Sequence, residues 1–321
     1  MLSRHFLRSK VLQEVYSCHI EEKNAVTASK EFEYHVGRLN ELGILQVALL
    51  PRIAEVAADI MEEGKRKFLA TDAERNPNTQ LLNNQFLRRL SDNFELKQHI
   101  AKWGGCWETN EDLVREAFQD FRKYDVYTDY LALEQPTFEQ DKELAIMLFR
   151  YLMNREALTA VLAERSLLWE DDYEQIAQYN FMMLKTLTEE NLTETMLWPL
   201  MYDKRNAIEE EAMDFARTLL RQTLALREES EALLRRFLQG WEFERVSSMD
   251  ILLINMAVAE LTSCPSIPER VTVDEYIELS KEFSSERSRL FINGILDKMV
   301  SELRSQGKIN KSGRGLAYES E

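Results

Sequence analysis

Glycine and proline are scarce in this chain. Over 321 residues there are 10 glycines and 6 prolines, and neither type clusters. These residues punctuate chains into short strands and tight turns. Their scarcity predicts long helices, so the fold class is read as all-α. At 45% hydrophobic and 30% charged, the composition is that of ordinary globular material. The length suffices for one large core or two medium ones.

Composition also removes several classes of function. No run of about 18 apolar residues occurs, so no membrane partner is expected. The opening MLSRHFLRSKVLQEVYS is basic but lacks the apolar centre of a signal peptide. Cys18, Cys106 and Cys264 are scattered and odd in number. They read as reduced thiols of a cytoplasmic protein, each acting as a small buried hydrophobe. The formal charge of −16 opposes indiscriminate binding of nucleic acid. Both ends are nevertheless basic. Residues 1–13 hold Arg4, His5, Arg8 and Lys10 with no acid, and residues 303–318 hold Arg304, Lys308, Lys311 and Arg314 with none. Local RNA binding stays open, because counterion release depends on the phosphates actually contacted.

Enzyme chemistry finds little support. The tripeptide QGK at 306–308 lacks the upstream glycine of a phosphate loop. There is no paired-histidine or paired-cysteine spacing, and His5, His19, His35 and His99 are dispersed. Asp171 and Asp172 are neighbours on a helix and do not converge on one point. The chain is expected to be no enzyme and to need no cofactor or metal.

Apolar periodicity predicts helices over 4–20, 31–69 with a kink or break at Pro51, and 81–103. A loop is expected at 76–79 and a break at Gly104-Gly105. Thr109 with Asp112 resembles a capping signal for a helix to about 123. Further helices are expected over 139–165, 170–189, 192–203, 207–226, 230–239, 243–263, 272–283 and 285–304. A weak repeat runs at an offset of 72. Arg155-Glu156 matches Arg227-Glu228, Trp169-Glu170 matches Trp241-Glu242, and four apolar positions agree.

The stretch 287-RSRLFINGILDKMVSEL-303 holds a contradiction. Asn-Gly between apolar residues is a hairpin signal. The arms do not alternate, however. Phe291, Ile295 and Met299 recur at helical spacing, as do Ile292, Leu296 and Leu303. The helix therefore runs through Asn293-Gly294, at a cost of about 1 kcal/mol for the glycine. Close packing of a neighbouring helix on Gly294 is the simplest offset. Asn293, if buried, needs a polar partner.

These residues carry a resemblance. The segment 268-PERVTVDEYIELSKEFSSERSRLFINGILDK-298 resembles the C-terminal signature of the NusB transcription antitermination family, through Pro268, Val271, Val273, Glu275, Glu278, Leu279, Lys281, Phe283, Phe291, Asn293, Gly294, Leu296 and Asp297. Upstream, Trp241, Arg245, Asp250 and Glu260-Leu261 are similar to the family's preceding helix. Arg4, His5, Arg8, Gln13, Val15 and Tyr16 fall on its arginine-rich opening helix. His5, Asn255 and Asp274 depart from the family pattern. The resemblance covers residues 1–20 and 210–304.

It implies a bundle of two packed helical subdomains, with an N-terminal basic helix at 1–24, an inserted helical region at 25–205, a helical core at 206–305 and a basic flexible tail at 306–321. The implied function is transcription antitermination, through a boxA-like single-stranded RNA bound together with ribosomal protein NusE. The implied setting is the RNA polymerase antitermination complex, notably on ribosomal RNA operons. On that reading Arg4, His5, Arg8, Lys10, Gln13, Arg287, Ser288, Phe291 and Asn293 meet RNA. Basic groups would take phosphates, while ring faces and amides take bases. Tyr16 reads better as core. Acidic runs at 169-WEDDYE-174 and 207-AIEEEAMD-214 would complement a basic protein. Two alternatives remain at this point: a helical scaffold that binds no RNA, and an RNA-binding module related to rRNA methyltransferases.

Overall fold

The structure is a computed structural model that describes residues 3–193, 207–238 and 243–316. Among these residues there are helices and no strand. In chain order the helices are α1 (Arg4–Glu21), α2 (Ala25–Arg66), α3 (Asp72–Arg75), α4 (Gln85–Asp92), α5 (Phe94–Trp103), α6 (Gly105–Thr109), α7 (Glu111–Phe121) and α8 (Asp125–Leu131). They continue with α9 (Phe138–Met153), α10 (Glu156–Arg165), α11 (Tyr173–Thr186), α12 (Ala207–Ala225), α13 (Arg227–Phe237), α14 (Ser248–Ser263), α15 (Glu269–Phe283) and α16 (Glu286–Ser305). The chain divides into two compact units, Met1–Val36 with Met201–Glu321, and Gly37–Leu200.

The first unit is built around α14. Every residue from Leu252 to Leu261 is buried, as a helix apolar on all sides requires. Helices α12, α15, α13, α16 and α1 pack around it. Asp250 Oδ1 accepts from Ser284 Oγ at 2.6 Å, and Ser284 Oγ stands 2.9 Å from Ser288 Oγ. Ser285 caps α16 by accepting from the Ser288 amide. This chain of short side chains fixes where α16 starts. The segment read as a flexible tail is tied down through Ser312. The Lys308 amide donates to Leu303 O, Lys311 Nζ to Cys264 O, and the Ser312 amide to Pro265 O. Gly307, at φ +65°, makes the turn that allows this.

In the second unit α9 packs against α4 and α11. Phe86, Trp107, Phe118, Phe149 and Trp169 are among its largest buried side chains. Four expectations fail here. Pro51 does not break α2, whose neighbouring residues Val47–Leu50, Ile53, Val56 and Ala57 are all buried. Their packing outweighs the cost of roughly 3 kcal/mol for a helix-interior proline. The predicted helix 81–103 is divided because Asn84 and Asn93 each cap a new start, accepting from the Leu87 and Leu96 amides. Thr109 opens nothing: its hydroxyl donates back to Gly105 O, and Asn110 stands at the cap of α7. The helix expected over 139–165 is likewise two helices, parted at Asn154-Arg155.

The repeat has a structural counterpart. Helices α9 and α12 end at Met153 and Ala225, and α10 and α13 end at Arg165 and Phe237, both at the offset of 72. Leu158, Val161 and Leu162 are buried, and so are Ser230, Leu233 and Leu234. Trp169 is buried; its counterpart Trp241, with Glu242, lies outside the described residues, as does most of the helix expected over 192–203.

Candidate nucleic-acid interface

The basic opening of α1 is engaged internally. Ser3 caps the helix by accepting from the Phe6 amide. Arg4 donates to Glu211 at 2.8 Å and lies over the Phe215 ring. His5 places Nδ1 2.8 Å from Glu275 and Nε2 2.9 Å from Glu282. Burial alone would lower the His5 pKa; the hydrogen bonds to Glu282 and Glu275 outweigh it, and the pKa is raised.

Arg8 is 1% exposed. Its Nε and Nη2 each donate to Glu260 at 2.7 Å, and Nη1 stands 3.1 Å from Glu275. Glu260 also accepts from Thr272 at 2.9 Å and Tyr276 at 3.1 Å. Burial works against the Arg8 charge, but the hydrogen bonds to Glu260 prevail and its pKa is raised. The Tyr276 pKa is pushed up by burial, then by the Glu260 charge. A guanidinium buried and paired in this way cannot reach a phosphate, so Arg8 is a positioning residue that ties α1 to α14. Lys10 is also buried, donating to half-buried Gln13 at 2.8 Å and lying over the Phe6 ring. Tyr16, expected in the core, is 42% exposed.

Helix α16 behaves differently. Ser288 is buried in the cap cluster described above and faces away from solvent. Arg287 and Asn293 are exposed, and Phe291 is half-buried. Arg287, Phe291, Gly294 and Lys298 follow one another at spacings of four, three and four, which places them in one row on the helix. Neither Arg287 nor Lys298 has a carboxylate partner among the described residues. Arg289 and Leu290, the latter 75% exposed, flank the row.

The helix runs through Asn293-Gly294 as the spacing required, but the close packing expected on Gly294 is not found among the described residues. A Cβ built at Gly294 would meet nothing within 4 Å. Among the described residues no neighbouring helix packs on it. Asn293 is exposed and borders an open groove of about 540 Å³ with Pro268, Val273, Asp297 and Val300. The helix therefore carries its glycine, at about 1 kcal/mol, without any compensating contact among the described residues. Sequence reasoning missed Lys298, Arg289 and the openness of Gly294. The spacing from Arg287 to Lys298 was legible and marks the same row.

Among the described residues no group of His, Cys, Asp and Glu could hold a metal ion, and no helix is long and apolar enough to cross a membrane. Fold and site together define an all-α bundle protein with an open cationic helix face. The NusB family model matches residues 173–301, so this segment of the chain is similar to the NusB family. Three relatives carry the name transcription antitermination protein NusB. The one from Salinibacter ruber is 41% identical over 103 residues, 32% of this chain and 64% of the relative. The one from Symbiobacterium thermophilum is 38% identical over 97 residues, 30% of this chain and 63% of the relative. The one from Chloroherpeton thalassium is 32% identical over 105 residues, 33% of this chain and 50% of the relative. The chain thus spans between half and two thirds of these relatives. No solved structure matches it. The family match begins at Tyr173, so residues 173–205, read from sequence as insertion, fall inside it, while α1 falls outside.

Proposed function

We propose that this chain is a transcription antitermination factor that works by binding alone, without catalysis, in the cytoplasm. Its ligand is a boxA-like single-stranded RNA, taken together with ribosomal protein NusE, and the assembly acts on transcribing RNA polymerase at ribosomal RNA operons. The observation that carries this reading is the open row on α16. Two unpaired cations flank a half-buried ring and a glycine notch, the combination that suits phosphates and a stacked base. A helix that keeps a costly glycine with no contact among the described residues is shaped for a partner that approaches its backbone. The names of the relatives support the process.

The test is anisotropy of a labelled boxA-like RNA with NusE across a salt series. Replacing Arg287 and Lys298 by alanine should weaken binding and flatten the salt dependence by about two phosphate contacts. Replacing Arg4 should matter less, because Glu211 already holds it. The engagement of Arg4, His5, Arg8 and Lys10 within the chain favours one competing reading, a scaffold for proteins alone. Stable NusE binding with no RNA binding at any salt would establish that alternative.

A further inference from the structure

The second unit has its own candidate site. A groove of about 680 Å³ opens between α9, α10 and the first turns of α11. That volume falls within the range of built ligand sites. Its floor is apolar and polarisable: Phe149, Met153 and Tyr173 are buried, and Phe181 is half-buried. The Tyr173 hydroxyl donates to Met153 O at 3.1 Å, so the floor presents no unmet polar group of its own there. Two carboxylates, Glu156 and Glu174, line the groove, are exposed, and have no cationic partner among the described residues. Arg150, which also lines it, lies over the Phe181 ring at 5.3 Å, with Lys185 over the same ring at 4.3 Å. Met147 and Met182, both exposed, stand on the same two helices.

The field of the unit decides between occupants. Residues 37–200 hold 18 Lys and Arg against 29 Asp and Glu, a net of −11, which is most of the chain's −16. Such a body repels RNA and attracts cationic segments. Methionine and aromatic floors adapt to varied aliphatic side chains. We infer that this groove is a docking site for a basic amphipathic peptide segment of a protein partner. An aliphatic side chain seats on Phe149, Met153 and Phe181, and flanking Lys or Arg residues pair with Glu156 and Glu174. This site is independent of the RNA reading of α16.

The experiment uses the full chain and a labelled amphipathic Leu/Lys peptide, read by anisotropy. Glu156→Gln/Glu174→Gln is compared with Glu134→Gln/Glu190→Gln, which removes the same charge elsewhere on the unit. Circular dichroism checks that both fold as the parent does. The groove variant should bind about fivefold more weakly, the control within about twofold of the parent, and Phe181→Ala should weaken binding as well. Absence of peptide binding would overturn the inference. Equal losses in both double variants would overturn it too, since they would mean diffuse charge attraction. Displacement of the peptide by single-stranded RNA would reassign the groove to nucleic acid.

Discussion

Replacing Arg8 by methionine tests the claim that this arginine positions α1 rather than meeting a ligand. Glu260 is 0% exposed, and its carboxylate accepts four hydrogen bonds: two from Arg8, one from Thr272 and one from Tyr276. Removing Arg8 deletes the two charge-assisted bonds and strands a buried carboxylate with two neutral donors. Breaking a buried pair on one side costs about 3–5 kcal/mol. Glu260→Met strands Arg8 instead, but Glu275, with 28% of its side chain exposed, remains 3.1 Å away, so the loss should fall toward the lower end. The double variant buries no charge. It should lose less than either single variant, about 0–2 kcal/mol, and could gain stability. Urea unfolding followed by circular dichroism gives the three values and their coupling. Additivity within about 0.5 kcal/mol, or an Arg8→Met loss below about 1 kcal/mol, would refute the reasoning.

Three further outcomes follow from buried or partnered groups. Asn255 is 1% exposed, and both its amide atoms lack a partner among the described residues. Asn255→Leu should therefore raise stability by about 1–3 kcal/mol in urea unfolding, and a decrease would show that the amide is satisfied in solution. The His5 pKa is raised in the folded state, so its clamp on Glu275 and Glu282 contributes fully below the unfolded value near 6.5 and fades as pH rises through the folded value. Melting curves should show His5→Gln destabilised at pH 5.5 by under about 1 kcal/mol, given its solvent exposure, and nearly level with the parent at pH 8.5. Burial pushes the thiols of Cys18 and Cys264 up to about 11 and about 12. Alkylation by iodoacetamide at neutral pH should be slow until denaturant is added; fast labelling of the native chain would contradict the burial.

The sequence already made the helical class legible, since sparse glycine and proline leave few alternatives. It also carried α16 through Asn293-Gly294, because helical spacing on both sides outvoted the local turn signal. Helix divisions at Asn84, Asn93 and Asn154 were not legible. Each depends on where a side-chain amide finds its partner: Asn84 donates to Asp141 O, Asn93 to Leu192 O, and Asn154 back to Arg150 O. Pro51 misled for the complementary reason, because distant packing overrode a local rule. The surroundings of the candidate site residues were not legible. Residue type identified Arg8, Lys10 and Ser288, but their burial beside Glu260, Gln13 and Ser284 is a tertiary fact. The open notch at Gly294 is likewise a statement about what is missing around a residue, which no spacing records.

The most direct test of the proposed RNA-binding role of α16 is the affinity of Gly294→Leu for boxA-like RNA in the presence of NusE. Nothing stands within 4 Å of the new Cβ. Leucine is the better helix former, so the free protein should gain up to about 1 kcal/mol of stability. If the α16 row binds RNA, this more stable protein should bind at least about tenfold more weakly, a loss of roughly 1.4 kcal/mol. Unchanged affinity would contradict the account and move the RNA to another surface.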